Sequence, residues 1–331
     1  MHETTGPRHD QHVLVTGGAG FIGSHLTDRL VNDGHQVVVF DNLSTGSLGN
    51  LAAARDRIEF LEGDLRDRAA VEHACRGVEV VFHQAALASV ARSVENPREV
   101  TEVNVGGTLN LLVAARDAKA RRVVFASSSS VYGDTPELPK TETMPFSARS
   151  PYAASKAAGE AYLSAFQASY GLETVSLRYF NVYGPRQSPR SLYAAVVPRF
   201  VDAILRGQAP TIHGDGGQTR DFTFVGDVAD ALVRASTAPR AVEGPMNLGG
   251  GRRISILDLA RTVAKIVGSS VVPHHEPTRV GDVRDSLADI RRARERLGWD
   301  PATTLDQGLV RVVEAARRLL AAEPVTPATG R

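Results

Sequence analysis

Short apolar runs alternate with longer amphipathic stretches along this chain. "HVLVTG", "HQVVVFD", "RIEFLEGD", "VEVVFHQAA", "RRVVFASSS" and "ETVSLRYFNVYG" are rich in β-branched and aromatic residues and read as six strands. The stretches between them read as helices, among them 21–32 and "VTEVNVGGTLNLLVAARDA". Near-continuous apolar strands separated by helices predict a doubly wound, Rossmann-type α/β fold, with a parallel sheet covered on both faces. After about Gly184 the pattern loosens. "PRQSPRSLYAAVVPRFVDAILRG" carries three prolines and one helix, and two later stretches read as a short strand running into a helix. This predicts a smaller C-terminal α/β lobe, with some of its elements returning to the first domain.

Composition narrows the function classes. The 331 residues are 42% apolar and 23% charged, ordinary for a globular protein of one large unit plus a lobe. A net charge of +1 gives no broad basic field, so nucleic acid is not expected as a partner. No apolar run approaches the ~20 residues of a membrane span, and the polar start "MHETTGPRHDQH" does not read as a signal peptide. The single cysteine, Cys75, excludes an internal disulfide and points to a reducing, cytoplasmic setting. No metal-ligand spacing occurs; His274 and His275 are adjacent and cannot face one ion from a strand.

Three features carry candidate chemistry. Gly17, Gly20 and Gly23 are spaced GxxGxxG at the end of the first strand and the start of the first helix. Glycines there permit a tight turn, close approach of a pyrophosphate and close helix–strand packing. The second strand ends in Asp41, 18 residues past Gly23, where an acid would accept from a ribose 2′-hydroxyl and repel a 2′-phosphate, favouring NAD. In "SPYAASK", Tyr152 and Lys156 stand one turn apart on a helix face, a proton acceptor beside a cation able to stabilise its phenolate.

In this order, "TGGAGFIG", "DNLSTG", "GDLRD", "SSSSVYGD", "YAASK" and "RYFNVYGPRQ" resemble the extended short-chain dehydrogenase/reductase family, specifically its NAD-dependent nucleotide-sugar epimerases and dehydratases. The resemblance runs from about Val13 to Leu320. It implies Ser128, Tyr152 and Lys156 as catalytic residues. It implies a cofactor site at Gly17, Gly20, Phe21, Ile22, Gly23, Asp41, Asn42, Ser44, Gly46, Asp64, Leu65, Ala85, Ala86 and Asn104, with Tyr152 and Lys156 reaching the nicotinamide side. Leu65 is expected beside the adenine. Gln84 departs from the apolar residue expected before Ala85.

On the substrate side the resemblance implies Ser128, Ser129, Asn181, Arg220, Arg279, Asp282 and Ser286, the two arginines suiting a diphosphate. Dehydratases of this superfamily place acids directly after the catalytic serine or threonine. Here those positions are Ser129 and Ser130, neither a strong acid nor a strong base, which leaves epimerisation at C4. Ser286 stands where glucose/galactose-restricted enzymes carry a tyrosine, so a 2-acetamido sugar would be permitted. The implied function is a 4-epimerase of UDP-glucose/galactose or UDP-N-acetylhexosamines. The alternatives are a UDP-glucuronate 4-epimerase, another nucleotide-sugar 4-epimerase or 4-ketoreductase, and a silent nucleotide-sugar sensor. Residues 1–11 and 322–331 are expected to be disordered, with the NAD-binding domain over 12–184 and the nucleotide-sugar lobe over 185–321. The resemblance also implies a homodimer formed through the "PREVTEVNVGGTLNLLVAARD" and "SPYAASKAAGEAYLSAFQASYG" helices.

Overall fold

A computed structural model describes residues 11–189, 195–239, 244–278 and 284–322. The first half of the chain runs β1 (His12–Thr16), α1 (Phe21–Asn32), β2 (Gln36–Asp41), β3 (Ile58–Glu62), α2 (Arg68–Ala74) and β4 (Val80–His83). It continues through α3 (Val90–Glu95), α4 (Pro97–Thr101), α5 (Gly107–Asp117), β5 (Arg122–Ser128), α6 (Pro151–Tyr170) and β6 (Glu173–Tyr179). The rest is β7 (Val182–Tyr183), α7 (Val196–Leu205), β8 (Thr211–His213), β9 (Thr219–Asp221), β10 (Thr223–Phe224), α8 (Val225–Thr237), β11 (Met246–Leu248), β12 (Arg253–Ser255), α9 (Ile256–Val267), β13 (His274–Glu276), α10 (Arg291–Leu297) and α11 (Leu305–Ala322).

The apolar runs form one seven-stranded sheet in the order β11-β6-β5-β4-β1-β2-β3, every pair parallel. Alternate side chains of one strand serve two different cores. Val13 and Val15 of β1, with Val37 and Val39 of β2, pack on one face, and Leu14, Val38 and Phe40 on the other. This is why the strands read as unbroken apolar runs. Each such fully buried aliphatic side chain is worth roughly 1.5–3 kcal/mol. The strand order reverses between β1 and β4, the neighbours on either side of which run outward in opposite chain directions. Such a switch opens a crevice at the carboxyl ends of the strands.

The chain after Gly184 is not confined to a separate lobe. β11 extends the sheet beside β6, and Val228, Leu232 and Trp299 join the core that holds β1 and β2. Trp299 is fully buried, and its indole N–H donates to the Asp227 carbonyl at 2.9 Å. A third core gathers α7, α9 and α11 around Tyr183, Phe222 and Phe224. Three two-stranded ribbons, β7–β10, β9–β12 and β8–β13, lie outside the main sheet.

The long helix expected over "VTEVNVGGTLNLLVAARDA" is interrupted. Between α4 and α5, Glu102–Gly106 forms a π-helical turn. Gly107, which follows, lies so close to Leu65 that a Cβ would stand 2.7 Å from its Cβ. Close approach and two successive glycines account for the widened turn, a feature common at functional sites. Among the described residues, no helix is long and apolar enough to cross a membrane.

Candidate active site

At the carboxyl end of β1, Gly17 has a positive φ of 69°, and a Cβ there would lie 2.7 Å from the Ala85 backbone. A Cβ on Gly23 would overlap the Gly17 carbonyl oxygen, so helix α1 meets the turn without side chains between them. At Gly20 a Cβ would meet only the Gly17 oxygen, at 3.1 Å, and otherwise face open space. That surface is free for close approach of a ligand, at the N-terminus of a twelve-residue helix. Phe21 and Ile22, the first two residues of that helix, are partly buried against the neighbouring cores.

Asp41 ends β2 and is 7% exposed. Its carboxylate accepts from the backbone N–H groups of Ala19 (3.0 Å) and Leu43 (2.8 Å). Burial raises its pKa, against the pull of those two bonds. Gly46 closes over it, since a Cβ there would be 3.0 Å from Oδ1. Ser44 N–H is held by the Asn42 side chain at 3.1 Å, and Asn42 donates to Asp64 at 2.9 Å. The Arg66 guanidinium pairs with Asp64 at 2.7 Å and holds its carboxyl well below the usual carboxylate range. An acid framed by a narrow loop beside a side-chain-free turn fits the adenosine half of a dinucleotide. Leu65, expected beside an adenine, is 4% exposed and packs against Gly107.

The reactive cluster gathers at the carboxyl ends of β5 and β6 and the start of α6. Ser150 caps α6, accepting from Ala153 N–H at 3.1 Å, and Pro151 opens the helix. Tyr152 is therefore in the first turn and Lys156 one turn on. Both are buried, at 8% and 4% exposure. The Lys156 ammonium donates to the Ala126 carbonyl at 2.8 Å, and its Nζ lies 4.9 Å from the Phe125 ring centroid and 6.0 Å from that of Tyr152. The Ser128 hydroxyl stands near the Tyr152 phenol. It also donates to Ser130 Oγ at 3.0 Å and accepts from Ser130 N–H at 3.2 Å. Ser129 follows in the short 3-10 turn Ser129–Tyr132.

The expected electrostatics run the other way within the protein alone. Burial raises the Tyr152 phenol above its ordinary value, and the Ser128 hydroxyl opposes this. Burial also pushes Lys156 down to about 7, against the charge of Glu160. Desolvation of two enclosed groups outweighs their attraction here.

Of the residues that support this site, His83 gave no sequence signal of its own. His83, at the end of β4, is 1% exposed and bridges Thr16 Oγ1 (2.8 Å) and Thr108 Oγ1 (2.9 Å). Burial, with the nearby Lys156 charge, lowers its pKa to about 3, so it is a neutral strut between β1 and α5. Asn104, in the π turn, gives its amide to Leu87 O (3.1 Å) and Ser155 Oγ (3.0 Å) and accepts from Leu87 N–H (2.8 Å). It ties the loop carrying Ala85 and Ala86 to helix α6. Ala85 N–H in turn donates to Thr16 Oγ1 at 3.3 Å. Gln84 accepts from the Tyr179 hydroxyl at 3.0 Å, so a polar residue is accommodated where an apolar one was expected. Glu160, Arg178 and Ser127 form a buried network beneath the cluster.

A cavity of about 640 Å³ opens on the C-terminal side, lined by Asn181, Arg220, Tyr183, Phe222 and Gln218 among others. Ser128, Tyr152 and Lys156 stand outside its lining. Asn181 adopts a positive φ of 31° and donates to Asp221 O (2.9 Å) and Ser286 Oγ (3.2 Å). Ser286, 9% exposed, also accepts from Asp221 N–H at 3.2 Å, so Asn181, Ser286 and the segment after Arg220 are brought together. Burial raises Asp221 to about 6, opposed by its bonds to the N–H groups of Ala288 and Gly250. Arg279 and Asp282 lie outside the described residues.

A family model described as the NAD dependent epimerase/dehydratase family matches residues 13–249. A UDP-glucose 4-epimerase of Mycolicibacterium smegmatis is 46% identical over 308 residues, covering 92% of this chain and 98% of that protein. A crystal structure of a Thermus thermophilus UDP-glucose 4-epimerase in complex with NAD superposes with a TM-score of 0.86 at 42% identity, covering 93% of this chain and 99% of that one. The UDP-N-acetylglucosamine 4-epimerase of Methanobrevibacter ruminantium, in complex with UDP-N-acetylmuramic acid, has a TM-score of 0.91 at 39% identity, covering 94% of this chain and 100% of that one.

Proposed function

We propose, starting from the fact that this chain belongs to the NAD-dependent epimerase/dehydratase family, that it is a nucleotide-sugar 4-epimerase using NAD, with UDP-glucose/galactose and UDP-N-acetylhexosamines as its substrates. The observation that carries this reading is the enclosed Ser128–Tyr152–Lys156 cluster with no acid at 129 or 130.

NAD, bound along Gly17, Gly20, Gly23 and Asp41, supplies reversible oxidation at the sugar's C4. Every other part of the work falls to side chains. Tyr152 takes the proton of the 4-hydroxyl and returns it to the same oxygen once C4 is reduced on its other face. Ser128 hydrogen-bonds the same oxygen and orients it toward the phenol. Lys156, seated against the Ala126 carbonyl, supplies positive charge as the phenolate forms. Within the protein alone burial prevails over this charge, and a positive nicotinamide ring, when bound, would add to it. Asn104 is a positioning residue, since its amide is engaged by Leu87 and Ser155.

The nucleotide is held from the other side. Arg220, with Arg279, suits a diphosphate, Asn181 borders it, and Asp282 accepts from a ribose hydroxyl. Anchoring there leaves the sugar free to turn. A 4-ketose able to offer either face to the hydride first taken from C4, with its oxygen at the same phenol, would give inversion, whereas loss of water would require an acid or base at 129 or 130. We further infer a cytoplasmic homodimer formed through α4–α5 and α6, the latter with Tyr162 and Tyr170 exposed.

The test is a panel of nucleotide sugars incubated with purified enzyme and resolved by chromatography. C4 epimers of UDP-glucose or UDP-N-acetylglucosamine should approach an equilibrium mixture without added NADH. Products that have lost water, or a requirement for stoichiometric NADH, would replace this reading with a dehydratase or a reductase. Light scattering on the same preparation checks the dimer.

A further inference from the structure

The buried network beneath the reactive cluster has no place in the chemistry above. The Glu160 carboxylate accepts from the Arg178 guanidinium through Nε at 2.9 Å and Nη2 at 2.7 Å, and from the Ser127 hydroxyl. Arg178 is 3% exposed and Glu160 7%. The guanidinium lies over the rings of Tyr132 (4.8 Å) and Phe146 (5.3 Å). An ion pair so enclosed stabilises a fold little against a well-packed apolar replacement, so stability is a weak account of its presence.

Its connections give a better one. Glu160 is one helical turn beyond Lys156 and two beyond Tyr152 on α6. Ser127 immediately precedes Ser128 on β5, and Arg178 immediately precedes Tyr179 on β6. The two strands pair in this register, Ser127 opposite Arg178 and Ser128 opposite Tyr179. One carboxylate therefore clamps the helix that bears the base and the lysine to both strands at the level of the serine. Bidentate geometry fixes rotation as well as distance.

We propose that Glu160 is a positioning residue: clamped by Arg178 and Ser127, it sets the register of α6 against β5 and β6 and supplies the counter-charge for the buried Lys156 ammonium.

This rests on the reading of Tyr152, Ser128 and Lys156 as the reactive cluster. The titratable and charged groups facing Lys156 are Tyr152 and Glu160 from its own helix and His83 from β4. Behind Glu160 stand Arg178 of β6 and Tyr132. β5 contributes the Ala126 carbonyl and hydroxyls. His83 is neutral, so Glu160 is the one negative group in this set. Neutralising it leaves Lys156 and Arg178 as two enclosed cations, and both consequences favour loss of the Lys156 proton.

The sequence contains four lysines, Lys119, Lys140, Lys156 and Lys265, so lysine labelled with carbon-13 at Cε gives a spectrum simple enough to titrate in the full-length enzyme with its NAD. Lys156→Met assigns the resonance. In Glu160→Gln the Lys156 midpoint should fall by at least about one pH unit, and kcat by about 10²-fold with KM changed little. Glu160→Asp, which keeps the charge, should hold the midpoint near wild type and recover much of kcat. An unchanged midpoint in Glu160→Gln, or identical behaviour of the Asp and Gln variants, would overturn the counter-charge role. Ser127→Ala deletes one clamp and leaves the ion pair, so it covers the case in which Glu160→Gln does not fold. It should lose about tenfold in kcat at unchanged NAD content, and wild-type kcat there would overturn the register role. The midpoint is read without turnover. An enzyme that acts on other substrates would leave it intact, which separates failure of this proposal from failure of the functional reading.

Discussion

The two walls of the active cleft are built on different principles. On the sheet side, the turn at Gly17, the end of β5 and the first turn of α6 sit on a continuous parallel ladder flanked by two cores. Tyr152, Lys156, Ser128 and Asn104 there are all at most 8% exposed, and the partners of Lys156 and Asn104 are fixed. On the C-terminal side, Arg220 rides on β9, a strand of three residues paired with β12 of equal length and bridged once, through Thr219, to Asp285. That side is held by side chain–backbone bonds, such as those of Asn181 and Asp221, rather than by a ladder. The contrast suits the proposed reaction. Proton exchange at one atom requires fixed groups within hydrogen-bond reach, while inversion requires a sugar that can turn beside an anchored diphosphate.

Substitutions on the rigid wall should therefore act on chemistry and those on the other wall on selectivity. The largest effect is expected from Tyr152→Phe, which removes one hydroxyl and leaves the packing. Turnover should fall by about 10³-fold or more, with NAD content and melting temperature near wild type. Rates within tenfold of wild type would show that another group takes the proton. Next comes the turn. Gly23→Ala places a methyl on the Gly17 carbonyl, a backbone clash that no rotamer relieves. It should destabilise by about 1–3 kcal/mol and abolish co-purification of NAD, both read from a melting curve and the ultraviolet spectrum.

Cofactor choice is the third test. A 2′-phosphate beside Asp41 meets a like charge, so NADP should bind at least about 100-fold more weakly than NAD. Equal affinities at matched ionic strength would detach Asp41 from the ribose. On the looser wall, Ser286→Tyr should lower the specificity constant for UDP-N-acetylglucosamine by at least about tenfold more than for UDP-glucose. Because Ser286 also bonds Asn181 and Asp221, equal losses for both sugars would mean that it acts by holding Asn181 instead.

The last effect is on stability and has a definite sign. Lys156 titrates at about 7 when folded, below its ordinary 10.5. Between those values the unfolded chain binds more protons, so folding gains stability as pH rises from 7 to 10.5, and below 7 the penalty is complete. Lys156→Met escapes the penalty. Its gain in melting temperature over wild type should be larger at pH 6 than at pH 10, and a gain independent of pH would place the charge cost elsewhere.

The sequence by itself determined the sheet, because a strand buried on both faces is written as an unbroken apolar run. It also determined the turn, because only glycines at 17, 20 and 23 allow such close backbone approach, and the YxxxK pair, because one helical turn fixes their neighbourhood. Tertiary structure decided what depends on residues far apart in the chain. Glu160 looks like a surface acid on an alanine-rich helix until Arg178 and Ser127 are brought to it from two strands. Nor did anything in the sequence show that the Asn104 amide is held by Leu87 and Ser155, or that Leu65 packs against Gly107. The sign of the Tyr152 and Lys156 shifts was also hidden. Spacing shows that a cation stands beside a phenol, but burial, which sets the larger energy here, exists only once the chain has closed around both.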